Sequence, residues 1–367
     1  MSTLKVNTIN ASTSGQAVDV DIKNPKSFRN KVINGAMLVN QRGNQSSVTT
    51  SVYGLDRFKV QEAADVTYDI NQSTESPNGF ANSFHIDIQG AQASPSASHF
   101  MQLITPLEGF NVQDFAKGTS EAKQYTVSFY IKTNVTGNYA LQITDDNSRS
   151  CSQLYTVSDT NWNRYTVTFP ADTTGAIDND NTEGLRLTWH LLVGTDRSSG
   201  TMNTTWAATT TANIAAGQNA NVASSTSNNW YITGVQLEVG SVATDFEHKT
   251  FAQENLDCKR YYQIIEGTSD LVMFGSGRAS GTSHALVPVQ LAVPLRASPT
   301  VSSTNYSGWT ASAAETATNK TPTVINFQAT NNQLNMQFGD LAGQLTNARV
   351  VTISCNSNSD LVMDSEL

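Results

Sequence analysis

Period-two alternation constrains this chain most. Tyr125, Val127, Phe129 and Ile131 are apolar and Thr126, Ser128, Tyr130 and Lys132 fall between them, a pattern that suits a strand with one buried face and no amphipathic helix. Tyr139, Leu141 and Ile143 repeat it after the turn at Thr136-Gly137, as do Tyr165, Val167 and Phe169, and then Leu185, Leu187, Trp189 and Leu191. Short strands at regular spacing, separated by Gly, Asn and Asp turns, predict an all-β, antiparallel β-sandwich rather than βαβ units. Val235, Leu237 and Val239 close the series. The poorly patterned stretch Ser198 to Trp230 reads as a surface excursion held down through Trp206.

One segment breaks the alternation. Thr250 followed by Gln253 forms a capping box, so a short helix is expected to start there. Phe251, Cys258, Tyr262 and Ile265 fall on one stripe. A helix of about four turns is marginal alone in water and has to pack on a neighbouring domain or on copies of itself. Beyond it a second, smaller β-sandwich is expected. Val287, Val289, Leu291, Val293 and Leu295 alternate there, with Pro288 and Pro294 on the other face, which predicts an edge or intersubunit strand. Thr323 to Ala329 and Gln333 to Phe338 read as a hairpin, and Arg349 to Cys355 as a final strand.

The length of 367 residues fits two or three domains. The expected boundaries are an N-terminal segment 1–27, a sandwich 28–249, a helical neck 250–265, a C-terminal sandwich 266–356 and a tail 357–367. Charged residues make up only 14%, so Ser, Thr, Asn, Gly and Ala must supply a neutral polar surface of the kind common in extracellular and virion β-proteins. A net charge of -9 with scattered Lys and Arg argues against nucleic acid or an anionic membrane as partner. No stretch reaches ~18 apolar residues, so membrane insertion is not expected. Three distant cysteines, Cys151, Cys258 and Cys355, offer neither a disulfide framework nor zinc spacing and read as free thiols.

No catalytic motif stands out. A Walker loop, HExxH, CxxC and GxSxG are all absent, and the five histidines are dispersed. Asp145-Asp146 lies in ordinary turn composition rather than in an acid pair poised for glycoside cleavage. Asp178 and Asp180, in DNDNTEG, are the candidate ligands for a hard cation, although the loop matches no full EF-hand and hairpin tips share this composition without metal. No cofactor is expected. Trp162 and Trp189 read as core. Tyr306 and Trp309 lie in the polar, Gly-containing SSTNYSGWTAS, where an exposed aromatic ring would stack on a neutral sugar; the other reading tucks Trp309 under its own loop. Arg42, Asp56 and Arg57 read as ion pairs at a neck, and Arg260 as a bridge to a carboxylate on a neighbouring chain.

VINGAMLVNQRG, YGLDRFKV, YTVSFYIKT, NWNRYTVTF, GVQLEVGSVATDFEHKTF and ENLDCKRYYQ, in that order between Ile33 and Gln263, resemble the tail fibres of tailed bacteriophages. The opening MSTLKVNTI is similar to fibre N-termini from phages of cyanobacteria and related marine hosts, and YTVSFYIK and QLEVG resemble jelly-roll carbohydrate-binding modules. The resemblance implies a homotrimeric, non-enzymatic virion protein made in the host cytoplasm. Its N-terminal segment would dock on tail proteins, and its body would bind host surface polysaccharide or lipopolysaccharide. Phe251, Leu256, Cys258 and Tyr262 would form the trimer neck. A purely structural adaptor is the alternative. A depolymerising tailspike is less favoured, because its usual long parallel β-helix needs internal repeats that are missing here.

Overall fold

The computed structural model describes residues 28–266, 272–303, 308–313, 319–320, 324–339, 350–355 and 360–367. The expected attachment segment, 1–27, lies outside the described residues.

The alternation becomes two packed antiparallel sheets. One has six strands, ordered Gln45–Val48, Thr67–Ser73, Ser83–Gly90, Asn229–Val239, Tyr125–Thr133 and Asn163–Phe169. The facing sheet has seven, running from Ala207–Ala208 through Arg149–Val157, Gly137–Asp145, Glu183–Val193, Phe100–Glu108 and Lys59–Glu62 to Val52–Tyr53. Their inward residues fuse into one core, in which Phe129 meets Trp189 edge-on at 5.6 Å and Trp230 is fully buried. Burying one such ring contributes about 2–3 kcal/mol.

Both outer faces are partly covered. Ile214 and Ala215, in the excursion after Glu183–Val193, pack on Ala140, while the Trp206 indole donates to the Pro170 carbonyl at 2.9 Å. On the six-stranded sheet, residues 241–249 fold back over one end. The Glu238 carboxylate accepts from the Thr244 amide (2.9 Å) and hydroxyl (2.7 Å), and the Glu247 amide donates to the Gln236 side chain (2.8 Å). The Glu247 carboxylate then gathers the amides of Phe28, Arg29 and Asn30, which ties the start of the sandwich to its end. Gly35 is needed beside this seam, because a Cβ there would lie 2.1 Å from the Val235 carbonyl oxygen.

The helix spans Phe251–Lys259, and Thr250 caps it by accepting from the Gln253 amide. Its inward face differs from the expected stripe. Glu254 and Cys258 are buried against the first sandwich, where Glu254 accepts from the Asn34 amide, whereas Phe251 and Leu256 are 61% and 48% exposed. Tyr262 has left the helix altogether. It opens the strand Tyr262–Ile265, which pairs with Leu361–Asp364. The helix therefore stops short of the expected neck, and four residues of the expected tail, Leu361–Asp364, form a strand of the second sandwich.

In that sandwich a three-stranded sheet (Tyr262–Ile265, Leu361–Asp364, Thr300–Ser303) packs on a seven-stranded one through a core that includes Val287, Phe338, Ile353 and Met363. The hairpin Val324–Ala329 with Leu334–Gly339 lies where expected. Ala285–Val289 is interior rather than at an edge. Its ladder to Val272–Ala279 stops at Leu286, however, so Pro288 is laddered on one side only, where its missing donor is tolerated.

The two sandwiches are joined within one chain by the arginines that had been read as neck pairs. The Arg57 guanidinium is 1% exposed, lies 3.4 Å from the Tyr261 ring centroid, binds the Glu366 carboxylate and donates to the Pro106 carbonyl at 2.6 Å. Arg42 stacks on Tyr262 at 3.7 Å, and Arg260 forks onto Glu108 at 2.8 and 2.9 Å. Arg260 thus reaches a carboxylate of its own chain. Arg57→Met leaves the buried Glu366 carboxylate with only Arg42, at 3.4 Å, and is expected to cost about 3 kcal/mol in denaturant unfolding. Adding Glu366→Gln should recover part of that loss; an additive double variant would show that the two groups are not coupled.

Candidate functional site

Odd and even positions on the six-stranded sheet set which side chains reach solvent. Phe84, Ile86, Trp230, Ile232 and Ile131 point inward, so Asn71, His85, Tyr231 and Lys132 point outward. The register places these four in one row across adjacent strands: Asn71 opposite His85, His85 opposite Tyr231, and Tyr231 opposite Lys132. Residues 241–249 cover the other end of this face and leave the row half-exposed.

The row carries an aromatic ledge. The His85 and Tyr231 rings stack at 4.1 Å with only 3° between their planes, and Trp162 stands edge-on to Tyr231 at 6.1 Å. Glu75 fixes the ledge by accepting from the Trp162 indole and the Lys132 ammonium, each at 3.0 Å. The Lys132 and Trp162 bonds hold the Glu75 carboxyl below its ordinary range. His85 is oriented by Asn229, whose side-chain oxygen lies 2.6 Å from Nε2. Partial burial raises the Tyr231 phenol, which stays neutral and able to donate at physiological pH. The stack seals one face of each ring; the outer faces and ring edges, beside amide, hydroxyl and ammonium groups, suit a pyranose, whose C–H faces stack while its hydroxyls bond.

Trp162 is thus no core residue. It lies one position before Asn163–Phe169, so the strand does not dictate its direction. Trp309 is the reverse. Its strand, Trp309–Ala313, places the ring in the second core, 0% exposed and 5.7 Å from Phe338, so it cannot serve as a sugar platform. Tyr306 lies outside the described residues. Of the neck set, Cys258 and Tyr262 are buried within their own chain, and only Phe251 and Leu256 face outward.

The acidic loops are occupied by structural bonds. Asp180 accepts from the Thr182 amide and hydroxyl, and Asp178 donates its amide to Asp146 at 3.1 Å. Among the described residues no group of three or more His, Cys, Asp or Glu could hold a metal ion. Asp145 is buried against the Lys117 ammonium, which also meets Asp172 at 3.1 Å and the Gly175 carbonyl at 2.7 Å. His190 is fully buried; burial first, and Arg197 second, lower its pKa to about 3, so it stays neutral. A groove of about 470 Å³ beside the helix is lined by Lys31, Lys249 and Arg260, but each of these cations already holds a carboxylate.

No family model and no curated protein matches the chain. Solved structures do align with it. A tailspike protein 4 domain of bacteriophage CBA120, described as enzymatically active, is 10% identical with a TM-score of 0.31; the alignment covers 57% of this chain and 21% of that one. The family 11 carbohydrate-binding module of a Clostridium thermocellum cellulosomal cellulase is 10% identical over 54% of this chain and 99% of the module, with a TM-score of 0.28. A CBM61 module in complex with β-1,4-galactotriose is 8% identical over 58% of this chain and 99% of the module, at 0.30.

Two outcomes check these placements. Trp309→Ala should destabilise the second sandwich by about 3–5 kcal/mol, measured by thermal unfolding, because it empties a core position. Burial alone would raise the Asp172 carboxyl, but bonds from Arg149, Thr174 and Lys117 outweigh it and hold the pKa at about 2. An unfolded aspartate titrates near 3.9, so this contribution is complete above about pH 4 and is lost as pH falls through about 2. Asp172→Asn should flatten the stability profile in that window; an unchanged slope would remove Asp172 from the account.

Proposed function

We propose that this chain is a tail fibre that attaches to a virion tail and binds a host-surface polysaccharide or lipopolysaccharide through the Trp162–Tyr231–His85 ledge, without cleaving it. The open row of stacked rings carries the reading. The rings stay half-exposed although burial would stabilise them further, and here a dedicated bond to Glu75 holds Trp162 in place. The resemblance of the segments between Ile33 and Gln263 to phage tail fibres supports the setting, and the neutral, hydroxyl-rich composition suits a surface appendage.

Association as a trimer, with Phe251 and Leu256 covered between copies and residues 1–27 on the tail, belongs to the same proposal. Sedimentation of the purified protein should return three times the chain mass, and a monomer would end that part of it.

The function itself is tested on an array of bacterial surface polysaccharides and lipopolysaccharides, with release of reducing ends followed in parallel. Wild-type protein is expected to bind without release. Trp162→Ala combined with Tyr231→Ala should weaken binding about thirtyfold, the loss of two contacts at roughly 1 kcal/mol each, with unfolding little changed. Release of reducing ends would make the protein a depolymerase, and binding to no glycan would favour the adaptor.

A further inference from the structure

We propose that Lys117 and Asp145 condense into an intramolecular amide between Nζ and Cγ, with Asp172 as the proton relay. The three side chains come from separate parts of the first sandwich. Lys117 lies on the crossing between Phe100–Glu108 and Tyr125–Thr133, Asp145 ends Gly137–Asp145, and Asp172 follows Asn163–Phe169. The Lys117 and Asp145 side chains are fully enclosed, and that of Asp172 is nearly so. Nζ touches Oδ2 of Asp145, one bond from the carbon it attacks, and lies 3.1 Å from Oδ2 of Asp172.

The surroundings suit acyl transfer. Oδ1 of Asp145 accepts from the amides of Asn147 (3.0 Å) and Arg149 (2.7 Å), which hold the negative charge that builds on this oxygen during attack. The Arg149 side chain forks onto Asp172 at 2.9 and 3.0 Å and keeps it aimed at the amine. Gly175 leaves the space open: its φ is +70°, and a Cβ there would lie 3.2 Å from both Nζ and the Asp145 oxygen. The Trp206 ring closes one side, 4.6 Å from Nζ. Tyr125 is fully buried, and its hydroxyl has no hydrogen-bond partner. Burial first, then the charges of Asp172 and Asp145, raise its pKa, which puts a neutral, uncommitted donor beside the pair.

Atoms and charges balance. The Lys117 ammonium passes one proton to Oδ2 of Asp145, leaving a neutral amine beside a neutral carboxyl. The nitrogen lone pair forms the bond to Cγ, and a second proton moves from nitrogen through Asp172 to Oδ2. The C–O bond then breaks with its electron pair on oxygen, and Oδ2 departs as water. Asp172 ends ionised as it began, and its pKa of about 2 makes it quick to return the proton. Arg149 and Thr174 hold this carboxylate before and after the bond forms. An enclosed ion pair is costly to keep from water, and condensation removes one charge of each sign. Contact in a fixed geometry supplies an effective concentration of roughly 10⁵ M or more, which free amine and acid in water lack. The amide would staple the crossing between the two sheets to a strand of the seven-stranded one, so that a pull on the chain could not slide them apart.

The test is the mass of the wild-type full chain after complete denaturation. It should fall about 18 Da, one water, below the sequence mass, and trypsin, which does not cut at an acylated lysine, should yield a branched peptide joining residues 60–123 to 133–149. Lys117→Met should lose no water, and Asp172→Asn should leave most chains uncondensed. The wild-type mass decides even where Lys117→Met does not fold. A wild-type chain at full sequence mass, with a linear peptide ending at Lys117, overturns the proposal, as does a lost water without the branched peptide. Complete condensation in Asp172→Asn overturns the relay.

Discussion

A buried guanidinium holds this molecule in its shape. Arg57 comes from the first sandwich, its ring partner Tyr261 from the residues after the helix, and its carboxylate partner Glu366 from the far end of the chain. A charge this deep is tolerated only when its donors are satisfied, and Glu366, the Pro106 carbonyl and the Tyr261 face supply that. Each partner belongs to a different part of the chain, so the relative placement of the two sandwiches, the helix and the last residues follows from one side chain. Arg42 on Tyr262, Arg260 on Glu108 and Arg296 on the Ser365 carbonyl widen the same joint.

The helix fits this frame. Its own packing stripe is poor, but it has no need to stand alone. Glu254 and Cys258 reach the first sandwich, and the chain passes directly into the Tyr262–Ile265 strand. Burial raises the Glu254 carboxyl and the Cys258 thiol, as expected for groups enclosed between packed elements rather than along a free-standing neck. The capped segment buries Glu254 and Cys258 inside one subunit and leaves Phe251 and Leu256 on the outside.

Alternation was legible wherever a strand is long and has one buried face, as in Tyr125–Thr133 and Glu183–Val193. It misled at strand ends and in small-residue strands. Trp162 inherited the apparent direction of its neighbours although it precedes the strand, and Trp309 seemed to sit in a loop because Thr, Ala and Ser around it mask the period. The capping box located the helix start, since a cap is a local interaction. The burial of Glu254 rather than Phe251 depends on the partner surface and cannot be read locally. The ledge was hidden for the same reason. His85, Trp162 and Tyr231 are far apart in sequence, and only the pairing of non-consecutive strands makes them neighbours.

The lateness of Leu361–Asp364 and Glu366 has a consequence for biosynthesis. On a ribosome the first sandwich can fold as soon as residue 249 or so has emerged, but the middle strand of the three-stranded sheet and the counter-ion for Arg57 follow the other strands of the second sandwich. Until then Tyr262–Ile265 and Thr300–Ser303 lack the strand that lies between them. The nascent second unit therefore waits with open sheet edges until Leu361 to Glu366 emerge and lock the joint.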